Sequence, residues 1–136
     1  MTEELSRDRR LDGLPDLAAS ELDVLSVLWA DGRRSAREVH EALADTHDWA
    51  YSTTRTVLDR MVKKGLVDKV SFHRMWLFEP AISRPRGLAR RVRDFADKVL
   101  GLDAAAVVPL FARGNALTAE EIDELSRLLE TEETAR

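Results

Sequence analysis

The stretch Trp49-Ala-Tyr-Ser-Thr-Thr-Arg-Thr-Val-Leu-Asp-Arg-Met-Val-Lys-Lys64 constrains this chain more than any other. At about 100° per residue its apolar members, Val57, Leu58, Met61 and Val62, fill one side of a helical wheel. Ser52, Thr56, Asp59, Arg60 and Lys63 fill the other, with Thr53, Arg55 and Lys64 at the margins. A helix of this kind must bury one face and leave the other to a polar neighbour. Small hydroxyls at its start and cations towards its end suit a helix that sets its first turn against base edges and its length along phosphates. A solvated surface helix has the same pattern, and the stretch alone does not separate the two readings.

The remaining composition narrows the choice. A chain of 136 residues is sized for one domain, or one small domain with an appendage, and 44% hydrophobic residues can bury a core. Cysteine is absent, which removes disulfides, thiolate metal sites and cysteine nucleophiles, and fits a reducing cytoplasm. Neither an apolar run of membrane-spanning length nor a secretory leader is visible, so the chain is expected to be cytoplasmic. The net charge of −4 hides a polarity. Between Trp49 and Leu100 stand twelve cations and five anions, a net of +7; the other nine cations and twenty anions sum to −11. A basic middle between acidic ends can bind a polyanion locally.

The order of elements supports that use of the basic middle. Residues 1–16 read as a flexible arm in which Arg7, Arg9 and Arg10 are available to a phosphate. Leu22, Leu25, Leu28 and Trp29 predict a first helix over about 19–30, with Trp29 as a core anchor and Asp31-Gly32 as its stop. Ser35-Ala-Arg-Glu38 is a capping box opening a second helix over about 36–45. The Trp49–Lys64 helix follows, with Ser52 as the expected N-cap and Gly65 as its end. Leu66–Phe72 and Met75–Phe78 read as a hairpin with its tip at His73-Arg74, a pair without the usual Asn-Gly chemistry. Three short helices and a hairpin are the order of a winged helix-turn-helix, whose third helix enters the major groove.

Ser83-Arg-Pro-Arg-Gly87 breaks the pattern and marks a junction, giving a winged-helix domain over 17–82 and a helical domain over 83–136. The expected class is therefore mostly α with a small β-hairpin wing. Leu88, Val92, Phe95 and Val99 form a seam on a fourth helix. Asp103 is placed to cap a short fifth helix containing Leu110 and Phe111, and Thr118-Ala-Glu-Glu121 is a second capping box. The last helix carries Ile122, Leu125 and Leu129 on one side. So short a segment makes little core alone. It can pack back on the first domain or form a homodimer, which suits a two-fold operator.

Other chemistry finds little support. His40 and His47 lack further ligands at metal spacing, so neither metal nor cofactor is expected. His73 at the hairpin tip is either a phosphate contact or a solvated loop residue. Spacing suggests no serine–histidine–carboxylate cluster and no phosphate-cradling glycine loop, so an enzyme is not expected. Trp49 is assigned to packing and Tyr51 to a hydroxyl contact with phosphate. A winged-helix protein-interaction module without DNA readout is the alternative, motivated by the acidic last helix.

Three strings, Glu21-Leu-Asp-Val-Leu-Ser-Val-Leu-Trp29, Ser35-Ala-Arg-Glu-Val-His-Glu-Ala-Leu43 and Trp49 through Val67, together with Leu117-Thr-Ala-Glu-Glu-Ile-Asp-Glu-Leu125, resemble the BlaI/MecI/CopY family of penicillinase-repressor-type transcription factors. The likeness covers roughly residues 17–130, and the third-helix string is its most specific part. It implies a repressor that binds double-stranded, inverted-repeat operator DNA as a homodimer. By position, Ser52, Thr53 and Thr56 become base readers, Arg55 a backbone clamp beside Arg60 and Lys63, and Arg74 a wing contact. The implied dimerisation set is Leu88, Val92, Phe95, Val99, Leu110, Phe111, Ile122, Leu125 and Leu129. Some members are released by a membrane sensor protease that cuts between asparagine and phenylalanine. Phe111 matches that phenylalanine, but Leu110 stands where asparagine would be, which speaks against that partner. Copper-responsive members carry paired cysteines that this chain lacks.

Overall fold

The structure is a computed structural model that describes residues 16–113 and 117–134, without the side chains of 111–113 and 131–134. The N-terminal arm thus lies outside the described residues apart from Asp16, as does the side chain of Phe111. The chain divides into two compact units, Leu17–Ser83 and one beginning at Arg84.

In the first unit, helix α1 spans Ala19–Asp31, β1 is Arg34–Ser35, α2 is Ala36–Leu43 and α3 is Tyr51–Lys63. Strands β2, Val67–Phe72, and β3, Met75–Pro80, form the hairpin. The sheet runs β1-β3-β2, all antiparallel. Strand β1 was not expected. Its two residues run into the capping box, of which Ser35 is the first member, and are too few to show a strand period, yet they pair Arg34 with Phe78 and Ser35 with Leu77. The capping box forms as read: Ser35 Oγ accepts from the Glu38 amide at 3.2 Å, and the Glu38 carboxylate accepts from the Ser35 amide at 2.9 Å.

The core of this unit joins Val24, Leu25 and Leu28 of α1 to Val39 and Leu43 of α2, Val57, Leu58 and Met61 of α3, and Val67 and Phe78 of the hairpin. Trp29 packs on its edge and donates its Nε1–H to the Ile82 carbonyl at 3.0 Å. An indole so placed half-buries its ring without leaving its N–H unpaired. The hairpin turn also resolves. His73 and Arg74 both have positive φ, 49° and 68°, and Phe72 pairs with Met75. Two left-handed central residues in a two-residue loop make the primed type of turn, whose twist matches the strands, although neither residue is glycine.

In the second unit, helix α4 spans Arg84–Phe95, so it starts inside the expected junction instead of after it. Pro85 occupies the first turn, where a missing N–H breaks no helical bond, and Gly87 is buried in the helix. A π-helical turn, Ala96–Leu100, follows and ends at Gly101, with φ 65°. Next come a 3-10 turn, Ala104–Val107, then α5, Val108–Arg113, and α6, Ala119–Thr134. Asp103 stands at the cap position of the 3-10 turn but gives no side-chain bond, against expectation. The second capping box does form, between Thr118 and Glu121, at 2.8 and 3.1 Å. Ala89, Val92 and Ala96 pack with Val107, Leu125 and Leu129 as this unit's own core.

Candidate nucleic-acid interface

Helix α3 begins one residue before its expected cap. Ala50 holds the N-cap position with extended backbone and no side-chain bond, so Ser52 sits in the first turn, exposed, with its hydroxyl not committed to capping. The turn leading into α3 is braced instead by His47. Its Nε2 lies 2.6 Å from an Asp23 carboxylate oxygen of α1, and its ring stacks on Trp49 at 4.2 Å. His40 is occupied elsewhere, with Nδ1 2.8 Å from Thr54 Oγ1, so the two histidines serve separate contacts.

The wheel of α3 is occupied as its periodicity dictates. Thr54, Val57, Leu58 and Met61 are buried. Thr54 was not singled out by sequence reasoning, although its i, i+3, i+4, i+7 relation to the other three is the core stripe itself. Ser52, Arg55, Thr56, Asp59, Arg60 and Lys63 are exposed together, while Tyr51 and Thr53 are half-buried. The structure thus brings the expected α3 residues onto one face. Thr56 Oγ1 donates to the Ser52 carbonyl at 3.0 Å, which leaves its oxygen lone pairs as acceptors. Arg74 is exposed at the wing tip.

Salt bridging divides the cations of this unit. Arg33 bonds Glu79 at 3.1 Å and Lys64 bonds Glu21 at 2.8 Å. Arg55, Arg60, Lys63 and Arg74 form no salt bridge among the described residues. The cations aligned with the exposed hydroxyls are therefore those outside salt bridges, although Arg60 lies near enough to act on Glu21 through its charge. Burial pushes the Glu21 carboxyl up, but hydrogen bonds from Lys64 and Ala18 and the charges of Lys64 and Arg60 outweigh it and hold the group below its ordinary value.

The expected dimerisation residues separate into two groups. Val92, Leu125 and Leu129 are buried in their own unit's core, with Leu88 and Ile122 packed against it. Phe95, Val99 and Leu110 are 50%, 65% and 56% exposed. The π turn explains part of the split, because it adds a residue to the turn and rotates Val99 out of the stripe while Ala96 takes the buried position. Two of these exposed side chains, Phe95 and Leu110, line an apolar cleft of about 360 Å³ together with Leu88, Arg91, Val92 and Val107.

Comparison with known proteins gives the chain a family. The model of the family described as penicillinase repressor matches residues 17–131. The penicillinase repressor of Bacillus licheniformis is 27% identical over 117 residues, covering 86% of this chain and 91% of that protein. The methicillin resistance regulatory protein MecI of Staphylococcus aureus strain N315 is 24% identical over 114 residues, covering 84% and 93%. A solution structure of the Bacillus licheniformis BlaI monomeric form in complex with the blaP half-operator matches with 28% identity and a TM-score of 0.49, covering 54% of this chain and 90% of that one. With the family pattern running through both units, the chain belongs to the penicillinase repressor family, a family of transcriptional repressors and not of enzymes.

Proposed function

We propose that this protein represses transcription by binding an inverted-repeat operator as a homodimer, with α3 of each protomer in a major groove. The observation that carries the reading is the α3 face itself: Ser52 and Thr56 exposed beside Arg55, Arg60 and Lys63, none of them in a salt bridge among the described residues. Ser52, Thr53 and Thr56 read bases; Tyr51, Arg55, Arg60, Lys63 and the wing's Arg74 hold phosphates. The protein works in the cytoplasm.

The second unit supplies the dimer contact through exposed Phe95, Val99 and Leu110, of which Phe95 and Leu110 line an apolar cleft that a second copy would cover. Leu125 and Leu129 support that face from within. Leu110 stands where members cut by a membrane sensor protease carry asparagine, so release by such a partner would have to run through leucine. Selection of binding sites from random duplexes tests the reading: it should return an inverted repeat whose half-sites lie about one helical turn apart. A selected pool without sequence preference would overturn it.

A further inference from the structure

We infer that Arg37, on α2, is a further phosphate-binding residue, held ready by the Tyr51 ring as one half of a two-helix clamp whose other half is Arg55. The inference rests on the proposed DNA-binding function. Arg37 is exposed, and its guanidinium carbon lies 4.1 Å from the centroid of the Tyr51 ring. That of Arg55 lies 6.0 Å from the same centroid. The ring is fixed by a third contact, an edge-on approach of His40 with centroids 5.6 Å apart, and His40 is itself held by the buried Thr54 hydroxyl at 2.8 Å.

What Arg37 does not do is as informative. Glu41 stands four residues on, at the spacing where a helix forms ion pairs, yet Arg37 makes none among the described residues. Glu38 is engaged in the capping box with Ser35. A flexible cationic side chain that passes over a carboxylate for an aromatic face is oriented without being neutralised. Two guanidiniums around one ring repel each other, and an anion lying across both relieves that repulsion. A phosphodiester suits the geometry, since guanidinium groups meet phosphate oxygens in a planar, two-pronged fashion. Because Arg37 and Arg55 come from different helices of the helix-turn-helix, a phosphate held by both fixes the entry of α3 into the groove.

The test is the salt dependence of duplex binding, read by fluorescence anisotropy on a mixed-sequence duplex and on the inverted repeat selected by the wild-type protein. Removing one cation from a phosphate should lower the slope of log K against log salt by about one. Arg37→Gln is expected to lower it by about that amount on both duplexes, and Arg37→Lys to retain it. Tyr51→Leu, which removes the platform, should lower the slope, whereas Tyr51→Phe, which removes only the uncharged hydroxyl contact, should weaken binding and keep the slope. A slope unchanged in Arg37→Gln, with the wild type binding normally, overturns the clamp and leaves the proposed function standing. A wild-type protein with no salt-dependent binding to either duplex overturns both. A purely structural stacking role would lower thermal stability without moving the slope, and counts against the inference.

Discussion

The Lys64 ammonium lies 2.8 and 3.0 Å from the two carboxylate oxygens of Glu21, a side chain only 1% exposed. One oxygen also accepts the Ala18 amide at 2.9 Å, so a buried charge closes the start of α1 against the end of α3. Lys64→Met should therefore destabilise the protein by about 1–3 kcal/mol, the usual range for stranding a buried polar group, kept moderate because Lys64 itself is 39% exposed. Urea denaturation checks this. An unchanged midpoint would mean that water replaces the ammonium without loss.

The same carboxylate sets a pH dependence. Although burial pushes Glu21 up, Lys64, Ala18 and Arg60 hold its folded value below 4.5, the ordinary value for the unfolded chain. The group's contribution to stability is then fully present above that ordinary value and disappears as pH falls through the lower, folded one. In the second unit, Glu121 is likewise held below its ordinary value, first by Arg84, whose Nη2 and Nε donate to it at 2.7 and 3.1 Å. Stability measured by urea should be flat above the carboxylate range and fall on the acid side. Glu21→Gln should flatten part of that fall. A variant with the wild-type acid limb would remove Glu21 from the account.

On α3, Thr56 is expected to read a base as an acceptor, because its own proton is turned back to the Ser52 carbonyl at 3.0 Å. An acceptor suits the exposed amino group of adenine or cytosine in the major groove. Thr56→Val, which keeps the shape, should cost about 1–3 kcal/mol on the selected operator and relax preference at one position per half-site. Arg55→Ala should instead weaken binding to all sequences and lower the salt slope by about one unit. Operator affinity at fixed salt that survives both changes would remove α3 from the groove.

The two groups of second-unit residues should respond differently. Phe95→Glu and Val99→Glu place charges on an exposed apolar face and should yield a folded monomer by sedimentation equilibrium. Leu125→Ala removes a side chain that is fully buried in the unit's own core and should cost about 2–5 kcal/mol of stability. A dimer that tolerates both charged variants would move the interface elsewhere.

Much of this division of labour was legible in the residues. The α3 stripe, both capping boxes and the hairpin tip follow from periodicity and side-chain chemistry, which are local. What periodicity could not show was non-local or irregular. Strand β1 exists because Arg34 and Ser35 meet Phe78 and Leu77 across more than forty residues of chain. The π turn after Phe95 broke a stripe that an unbroken helix would have carried to Val99. Lys64 stood only at the margin of the polar face, and no pattern in the sequence set Glu21 beside it or brought Arg37 to the ring of Tyr51.

At the wing turn, stability and the proposed DNA contact can be tested together. His73 and Arg74 hold φ of 49° and 68°, a region that costs side chains with a Cβ energy and that Asn-Gly adopts readily. Replacing the pair by Asn-Gly should therefore raise the hairpin's stability by about 1 kcal/mol, the low end of what such backbone strain costs. The same change removes the Arg74 cation from the wing tip. If Arg74 holds a phosphate, the double variant should melt higher than the wild type, bind duplex DNA more weakly and lose about one unit of salt slope. His73→Asn alone should gain stability and keep the slope. A double variant that melts higher with the slope intact would show that the tip's conformation is unrelated to DNA binding, and Arg74 would leave the interface.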